Sequence, residues 1–358
     1  MYLQKNKIKI YILKIISCLI NKSLSLKKKN FIFLLKLDQF IYTDTKLNIV
    51  LKKEIRDDDC IYLELYKTNQ YRKIINLYFS NHILKNVTSM KRAKKCLDYW
   101  IPLIIKLSKK INKKIYLNLN CGDGEKSNFL SMNSNQNKNL IPDLYSFDAS
   151  KKINKKLAFS SFEQFSKTWL DKQDKIYWRG STTGNSYKSL EELNSLKRIE
   201  ICKKFRDKKG MDIKISRIIQ NNINKSKIKE YLIKERIFAK EVSENKFINY
   251  KYYPDIPGNS LAWGTITKYL TGSLIFKPDN DQKLYYYKLL KPWSHYIPVN
   301  NDFSDLEEKF IWSQDNITQS IEIAYSGYII ILEYLENIDH HFINASLEFL
   351  ENNELYAK

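Results

Sequence analysis

A carboxylate flanked by glycines follows an alternating segment of the sequence. Residues 114–120 (KIYLNLN) alternate apolar and polar side chains, which predicts a β-strand, and Cys121-Gly-Asp-Gly-Glu125 follows it directly. Open α/β sheets place their chemistry in the loops after strands, where a carboxylate can take a proton from an attacking hydroxyl group. Asp123 and Glu125 are the two carboxylates at this position. A glycine-rich turn without chemistry is the alternative interpretation.

A loop rich in hydroxyl groups follows a second predicted strand, residues 175–181 (KIYWRGS). The loop, Gly180-Ser-Thr-Thr-Gly184, offers backbone amides and hydroxyls that can bind a phosphate group. It lacks the Gly-Lys-Ser/Thr ending of a Walker motif. Arg179, within the strand, is either a phosphate ligand or a structural ion-pair partner.

The turn-rich stretch from residue 250 to residue 299 holds five of the seven prolines of the chain. Within it, Asp255-Ile-Pro-Gly258 predicts a turn that opens a helix, with Asn259 or Ser260 as the cap and Trp263 on the apolar face. The start of such a helix can bind an anion through free backbone N–H groups. An ordinary αβ unit has the same pattern.

Four motifs resemble, in this order, those of glycosyltransferase family 90. They are YWRGSTTG (177–184), a Lys-Tyr pair before Asp-x-x-Gly-Asn-Ser (251–260), GSLIFK (272–277) and LKPWSHYIPV (290–299). The family contains capsule-associated fungal xylosyltransferases, KDEL-motif protein O-glucosyltransferases and bacterial lipopolysaccharide-modifying enzymes. The resemblance implies a GT-B fold, with two Rossmann-like domains facing a cleft, a nucleotide-sugar donor and inversion at the anomeric carbon.

The resemblance also implies roles for individual residues. Asp123 resembles the catalytic base, and Ser181 with its loop neighbours resembles the binding site of the nucleotide diphosphate. Arg198 matches an arginine that stabilises the leaving diphosphate, with a helix-surface arginine as the alternative. His295 can bind the sugar or a phosphate, or serve only the structure. The residues predicted to bind the nucleotide sugar are Arg179, Gly180, Ser181, Thr182, Arg198, Gly258, Asn259, Ser260, Trp263, Lys268 and His295.

One position departs from the animal O-glucosyltransferases, which have an arginine in a Ser-aromatic-Arg motif. This chain has Ala262-Trp263-Gly264 there. In this respect it resembles the bacterial-type members of the family. We interpret the difference as a mark of the branch and not as loss of activity. Lys268 and Lys277 are the candidates for the cation that meets the diphosphate from this side, and solvated lysines are the alternative.

The segments that must position these residues predict an α/β protein of two domains, for which 358 residues suffice. Gly272 is expected to end the helix that follows Gly258, and residues 147–160 are expected to form a loop. A capping box at 304–307 predicts another helix start. The predicted divisions are a basic N-terminal segment (1–40), an acceptor-side Rossmann-like domain (41–172), a nucleotide-sugar-binding Rossmann-like domain (173–335) and a C-terminal tail (336–358).

The formal net charge of +22 comes mostly from lysine. Lysine suits non-specific contact with anionic lipid or glycolipid, whereas readers of nucleic-acid bases favour arginine. We therefore expect a nucleotide-sugar donor, a glycan or glycolipid acceptor and an anionic membrane surface as an optional partner, but no nucleic acid. Five cysteines without a CxxC pair favour a reducing cytoplasm.

The N-terminal 29 residues are basic, and their longest apolar run, broken by Lys14, is too short to span a bilayer. No cleavage site for a signal peptide follows it. A segment lying on an anionic leaflet and a helix packed on the first domain both stay open. Arg56-Asp57-Asp58-Asp59 contains the Asp-x-Asp metal motif of another glycosyltransferase fold, but the charged residues before it favour a surface turn. We therefore expect a metal-independent enzyme without a cofactor, located in the cytoplasm or peripherally on the inner face of the plasma membrane.

These observations favour an inverting glycosyltransferase that moves a sugar from a nucleotide donor, UDP first of all, to a hydroxyl of a lipopolysaccharide, lipooligosaccharide or capsule glycan. A protein O-glycosyltransferase acting on Ser or Thr is the first alternative. The others are a non-catalytic basic protein that binds nucleic acid or membrane, and a metal-dependent transferase.

Overall fold

The computed structural model describes residues 45–50, 59–67, 73–80, 82–83, 86–111, 113–136, 138–156 and 159–353. The predicted basic segment, 1–40, and Arg56 to Asp58 lie outside these ranges. The described residues form two compact units of mixed α/β structure. The first contains the residues up to Ser134, Lys138–Leu144 and the residues from Asp339 onward, and the second contains Tyr145–Ile338 with residues 135–136.

The first unit is built on a four-stranded sheet in the order β1-β3-β2-β4. β1 is parallel to β3, whereas β2 is antiparallel to both of its neighbours. Alternate side chains of β2 are buried, as the period of two predicts for a strand with one face in the core. The strands are β1 (Thr45–Val50), β2 (Cys60–Lys67), β3 (Lys73–Phe79) and β4 (Ile115–Asn120), followed by the short β5 (Asn133–Ser134).

Helix α1 (Val87–Leu107) belongs to the same unit and buries one of its faces. The Asn86 side chain caps it by accepting hydrogen bonds from the backbone N–H groups of Thr88 and Ser89. Pro102 lies inside the helix without ending it. The buried Trp100 stacks on Phe342 at 6.3 Å between ring centroids, so the segment predicted as a tail supplies part of this core.

The second unit is built on a five-stranded parallel sheet in the order β11-β9-β8-β6-β7. Every residue of β8 and β9 is buried, as expected for central parallel strands that are covered on both faces. All five strands end at the same edge. The strands are β6 (Gln173–Ser181), β7 (Met211–Arg217), β8 (Tyr250–Pro254), β9 (Leu274–Pro278) and β11 (Ile297–Val299), with the short β10 (Lys283–Leu284) outside this sheet.

The helices of the second unit surround this sheet. They are α2 (Leu144–Lys156), α3 (Phe162–Leu170), α4 (Leu190–Asn194), α5 (Lys197–Phe205), α6 (Lys225–Lys234), α7 (Thr265–Leu270), α8 (Leu306–Asp315) and α9 (Ile317–Glu336). A last helix, α10 (Ile338–Glu351), enters the first unit. No helix within the described ranges combines the length and the apolar character that crossing a membrane requires.

The division between the units falls after Leu144, whereas the sequence placed it after residue 172. The reason is α3, whose Phe165 is buried and packs edge-on against Tyr325 of α9 at 5.1 Å between ring centroids. Phe162 packs against the same tyrosine. Aromatic contacts therefore join α3 to the second unit.

Two local predictions are wrong. Residues 147–156 belong to α2, although a loop was expected over 147–160, because small or polar residues such as Ser146 and Ala149 take buried positions and hide the helical period. The capping box at 304–307 does not form. α8 starts at Leu306 without a side-chain cap, since the Asp305 carboxylate accepts the backbone N–H of Asn300 at 2.8 Å.

A lysine without a carboxylate contact is buried in the second unit. Lys172 is 8% exposed, and its ammonium donates to the carbonyl oxygen of Thr271 at the end of α7. Burial lowers the pKa of Lys172 from its ordinary value of 10.5 to about 7. The native state therefore binds fewer protons than the unfolded chain between about pH 7 and pH 10, so this residue makes stability rise with pH across that range.

We expect Lys172→Met to stabilise the protein at pH 6–7, by about 1 kcal/mol or more, because one pKa unit corresponds to about 1.4 kcal/mol. The gain in stability should shrink toward pH 10, because Lys172 loses its proton in the unfolded chain as well and burying it then costs less. Urea denaturation at several pH values measures it, with the exposed Lys175→Met as the control. A Lys172→Met protein that is less stable at every pH would contradict this account.

Candidate active site

Two loops meet at the carboxyl edge of the parallel sheet. The first follows β6, where a Cβ atom on Gly180 would lie 2.2 Å from the Trp178 ring, so only glycine fits. Thr182 is fully buried. Its hydroxyl bonds to both the N–H and the carbonyl of Ile219, at 2.9 and 2.8 Å. Thr182 therefore anchors the loop, and Ser181 and Thr183 remain partly exposed.

Arg198 ties this loop to the one after β8. It lies on α5 and is 9% exposed, and is therefore not a surface arginine. Its guanidinium donates to the carbonyls of Ile256 and Pro257 at 3.0 and 2.9 Å. It also donates to the carbonyl of Ser181 at 3.2 Å and to the Thr183 hydroxyl at 2.5 Å. One buried cation thus fixes the distance between the two loops.

A second link lies beside the first. The Asn259 side-chain oxygen accepts the backbone N–H of Gly184 at 2.9 Å. A Cβ atom on Gly258 would lie 2.8 Å from the Thr183 hydroxyl and 3.2 Å from the Arg198 guanidinium. Glycine at position 258 therefore permits the close approach of the loops.

The helix predicted to start after Gly258 begins later, as the six-residue α7 at Thr265. Asn259 and Ser260 are not its caps. Asn259 binds Gly184 instead, and the buried Ser260 hydroxyl has no hydrogen-bond partner among the described residues. The prediction failed because Asn259, whose side chain could cap a helix, instead accepts a hydrogen bond from the neighbouring loop. Gly272, at a φ of +70°, follows the end of α7, as predicted.

The two candidate lysines are buried and not solvated. Lys268 is 2% exposed, pairs with the Glu244 carboxylate and lies 4.2 Å from the Phe247 ring centroid. Lys277 is 4% exposed, donates to the Pro278 carbonyl at 3.1 Å and lies 3.9 Å from the Tyr287 ring centroid. Burial lowers the pKa of each lysine. The nearby carboxylates act in the opposite direction, since Glu244 raises the pKa of Lys268 and Asp255 raises that of Lys277.

Asp255 is a buried carboxylate at the end of β8. It is 0% exposed and accepts the Thr265 hydroxyl at 2.5 Å. Its backbone N–H donates to Phe276, the residue before Lys277, so Asp255 and Lys277 are neighbours across two parallel strands. The sequence indicates only a turn at Asp255, since nothing in the pattern marks a buried carboxylate.

The remaining predicted ligands have structural partners. Arg179 forms an ion pair with Asp212 at 2.6 Å, in accordance with the structural alternative. The His295 Nδ1 accepts the backbone N–H of Lys291 at 3.0 Å, and burial together with the nearby Lys291 charge lowers the pKa of His295. Trp263 stacks on the partly exposed Tyr145 at 5.5 Å between ring centroids.

The candidate base lies in the first unit, on a loop shaped by side-chain amides. The Asn120 amide donates to the Gly124 carbonyl at 2.8 Å and accepts the Gly122 N–H at 2.9 Å. The Asn133 side chain accepts the Gly124 N–H at 3.0 Å. The loop therefore holds its shape and presents Asp123, whose side chain is 43% exposed.

The two candidate carboxylates differ in their contacts. Asp123 Oδ1 accepts a hydrogen bond from Arg92 at 2.5 Å, and Oδ2 has no hydrogen-bond partner among the described residues. Glu125 accepts the Ser134 hydroxyl. Sequence reasoning missed Arg92 and Asn133, because an arginine on a helix and an asparagine in a polar loop carry no distinguishing pattern. Within the described ranges, no group of three His, Cys, Asp or Glu residues is arranged to hold a metal ion.

The comparisons with known proteins identify the class. The family described as glycosyl transferase family 90 matches residues 130–340, more than half of the chain. The chain belongs to this family, which confirms the resemblance read from the four motifs. The predicted α/β class is likewise confirmed.

Individual relatives match over shorter stretches. Protein O-glucosyltransferase 3 of Homo sapiens is 32% identical over 90 residues, 25% of this chain and 18% of that protein. Protein O-glucosyltransferase 1 of Rattus norvegicus is 32% identical over 113 residues, 31% of this chain and 29% of that protein. Uncharacterized protein 027R of Frog virus 3 (isolate Goorha) is 28% identical over 177 residues, which are 44% of this chain and 18% of that protein. The chain thus spans less than a third of the length of each.

Among solved structures, the crystal structure of TarM matches 48% of this chain and 35% of its own. The sequence identity is 13% and the TM-score 0.33, a likeness too small to carry an argument.

Gly180→Ala tests the packing of the first loop. We expect it to lower the free energy of unfolding by about 1–3 kcal/mol, because the new methyl group would overlap the Trp178 ring. Gly264→Ala is the matched control, since its Cβ would meet only the end of Lys268 at 3.9 Å. Urea denaturation measures both. Equal stability of the two variants would mean that the Trp178 ring can move aside.

Proposed function

We propose that this chain is an inverting glycosyltransferase of the GT-B type, which transfers a sugar from a nucleotide donor to an acceptor hydroxyl. The observation that carries the proposal is the pair of loops that Arg198 joins at the carboxyl edge of the parallel sheet. Ligands of open α/β sheets bind at this edge. Both loops also lie within the part of the chain that matches the family.

A UDP-sugar is the proposed donor, bound through its diphosphate at these loops. Arg198, Lys268 and Lys277 are buried cations whose positions are fixed before the donor arrives. Such groups stabilise the charge that develops on a leaving diphosphate without reorganising. The names of the O-glucosyltransferase relatives make glucose the first sugar to test.

Asp123 is the proposed base. The acceptor oxygen attacks the anomeric carbon, the bond from that carbon to the diphosphate breaks with its electron pair, and the hydroxyl proton moves to Asp123. Attack opposite the leaving group inverts the anomeric centre. Asp123 is favoured over Glu125 because its Oδ2 atom has no partner among the described residues, whereas Ser134 binds the Glu125 carboxylate.

A hydroxyl of a lipopolysaccharide, lipooligosaccharide or capsule glycan is the proposed acceptor. The net charge of +22 supports a polyanionic glycolipid and peripheral contact with the cytoplasmic face of a membrane. The names of the relatives support the alternative, a protein hydroxyl. We further propose that no metal ion takes part.

A non-catalytic basic protein is the rival from another class. It would bind polyanions with a steep dependence on salt and would show no saturable affinity for UDP.

The deciding measurement is UDP, GDP or CDP release from a panel of nucleotide sugars, in the presence of a chelator. We expect slow, chelator-insensitive turnover of one UDP-sugar, with water as the acceptor. Asp123→Asn should lower kcat about 100-fold or more, the usual contribution of a general base. Comparison with Glu125→Gln decides between the two carboxylates, and Asp207→Asn, an exposed carboxylate of the second unit, is the control. Absence of both turnover and nucleotide-sugar binding would refute the proposed function.

A further inference from the structure

The contact between Arg92 and Asp123 joins a rigid helix to the candidate base. Arg92 Nη2 lies 2.5 Å from Asp123 Oδ1, although the two residues are 31 positions apart in the sequence. Around Arg92, α1 is held by fully buried residues such as Ala93 and Cys96. The guanidinium is therefore attached to one of the better fixed elements of the first unit.

The loop itself does not orient the Asp123 carboxylate. Asn120 and Asn133 fix the backbone of the flanking glycines, Gly122 and Gly124, but make no contact with the Asp123 side chain. An aspartate between two glycines, with its side chain 43% exposed, can populate several rotamers. Among the described residues, Arg92 is the one hydrogen-bond partner of this carboxylate.

We propose that Arg92 is a positioning residue for the transfer reaction: it holds Oδ1 of Asp123 and so directs Oδ2 toward the acceptor hydroxyl. This inference rests on the proposed role of Asp123 as the base. A base that is already oriented avoids the entropic cost of finding its reactive rotamer in each turnover. Arg92 does not contact the reacting atoms and acts only through Asp123.

If Arg92 had a purely structural role, its loss would lower stability and leave kcat unchanged. The positioning role predicts the reverse. The side chains of Arg92 and Asp123 are 29% and 43% exposed, and an ion pair of this kind contributes only about 0–1 kcal/mol to stability. Loss of Arg92 should therefore leave the melting temperature and the KM for the donor almost unchanged. The change should appear in kcat.

The test measures UDP release from UDP-glucose, or from the UDP-sugar that the panel identifies, by the native protein and by Arg92→Met, Arg92→Lys, Arg92→Ala and Asp123→Asn. We expect Arg92→Met to lower kcat about tenfold or more. Arg92→Lys should recover only part of the loss, since an ammonium lacks the planar, multi-donor geometry of a guanidinium. Added guanidinium ion should restore kcat of Arg92→Ala in a saturable manner, with no effect on Asp123→Asn.

Lys106→Met is the matched control, because Lys106 lies on the same helix and forms an equally short ion pair with Asp339 at 2.5 Å. It should leave kcat unchanged. If the native protein is active and Asp123→Asn is not, a folded Arg92→Met with kcat within twofold of native overturns the inference and leaves the proposed function intact. Failure of guanidinium to rescue a folded Arg92→Ala also overturns it. An inactive native protein refutes the proposed function, and the inference with it.

Discussion

The buried guanidinium of Arg198 is the interaction on which the carboxyl edge of the parallel sheet depends. Burying a cation is costly unless its hydrogen bonds are satisfied, and here backbone carbonyls and hydroxyls from two separate loops satisfy them. Removal of the guanidinium would leave the carbonyls of Ile256 and Pro257 without this partner. The strands bring the loops to one edge, but Arg198 sets their spacing, and Gly258 lets them touch.

The same edge has more positive than negative charge. Asp255 is the buried carboxylate beside both Arg198 and Lys277, whereas Arg179 and Lys268 each have a separate carboxylate partner. Burial raises the pKa of Asp255, opposed first by Lys277. Two cations therefore share one acidic group. This imbalance is unfavourable in an empty site and would be relieved by a bound anion, which supports the proposed diphosphate site.

The parts of the fold that follow from periodicity could be predicted from the sequence. The alternating β4, the apolar β9 and the Gly272 helix end are where local pattern places them, because burial and backbone conformation act on each residue separately. Prediction failed where tertiary contacts decide. Residues 144–156 show too weak an apolar stripe to reveal a helix, and Asn259, a plausible helix cap, binds a distant loop instead.

The candidate site shows a similar limit, since the motifs and the resemblance located the loops and Arg198 but not the contacts that hold them. Ser181, Asp123 and Arg198 were predicted from the sequence, whereas the contacts of Arg198 with two loops and the contact of Arg92 with Asp123 have no local signature. The two arginines also differ in burial. Arg198 is buried and joins the backbones of two loops, as the proposed donor subsite would require. Arg92 and Asp123 are partly exposed, which agrees with the proposed approach of an acceptor hydroxyl to the Asp123 carboxylate. A transferase needs both arrangements, because its leaving group requires fixed charges and its acceptor requires access to the base.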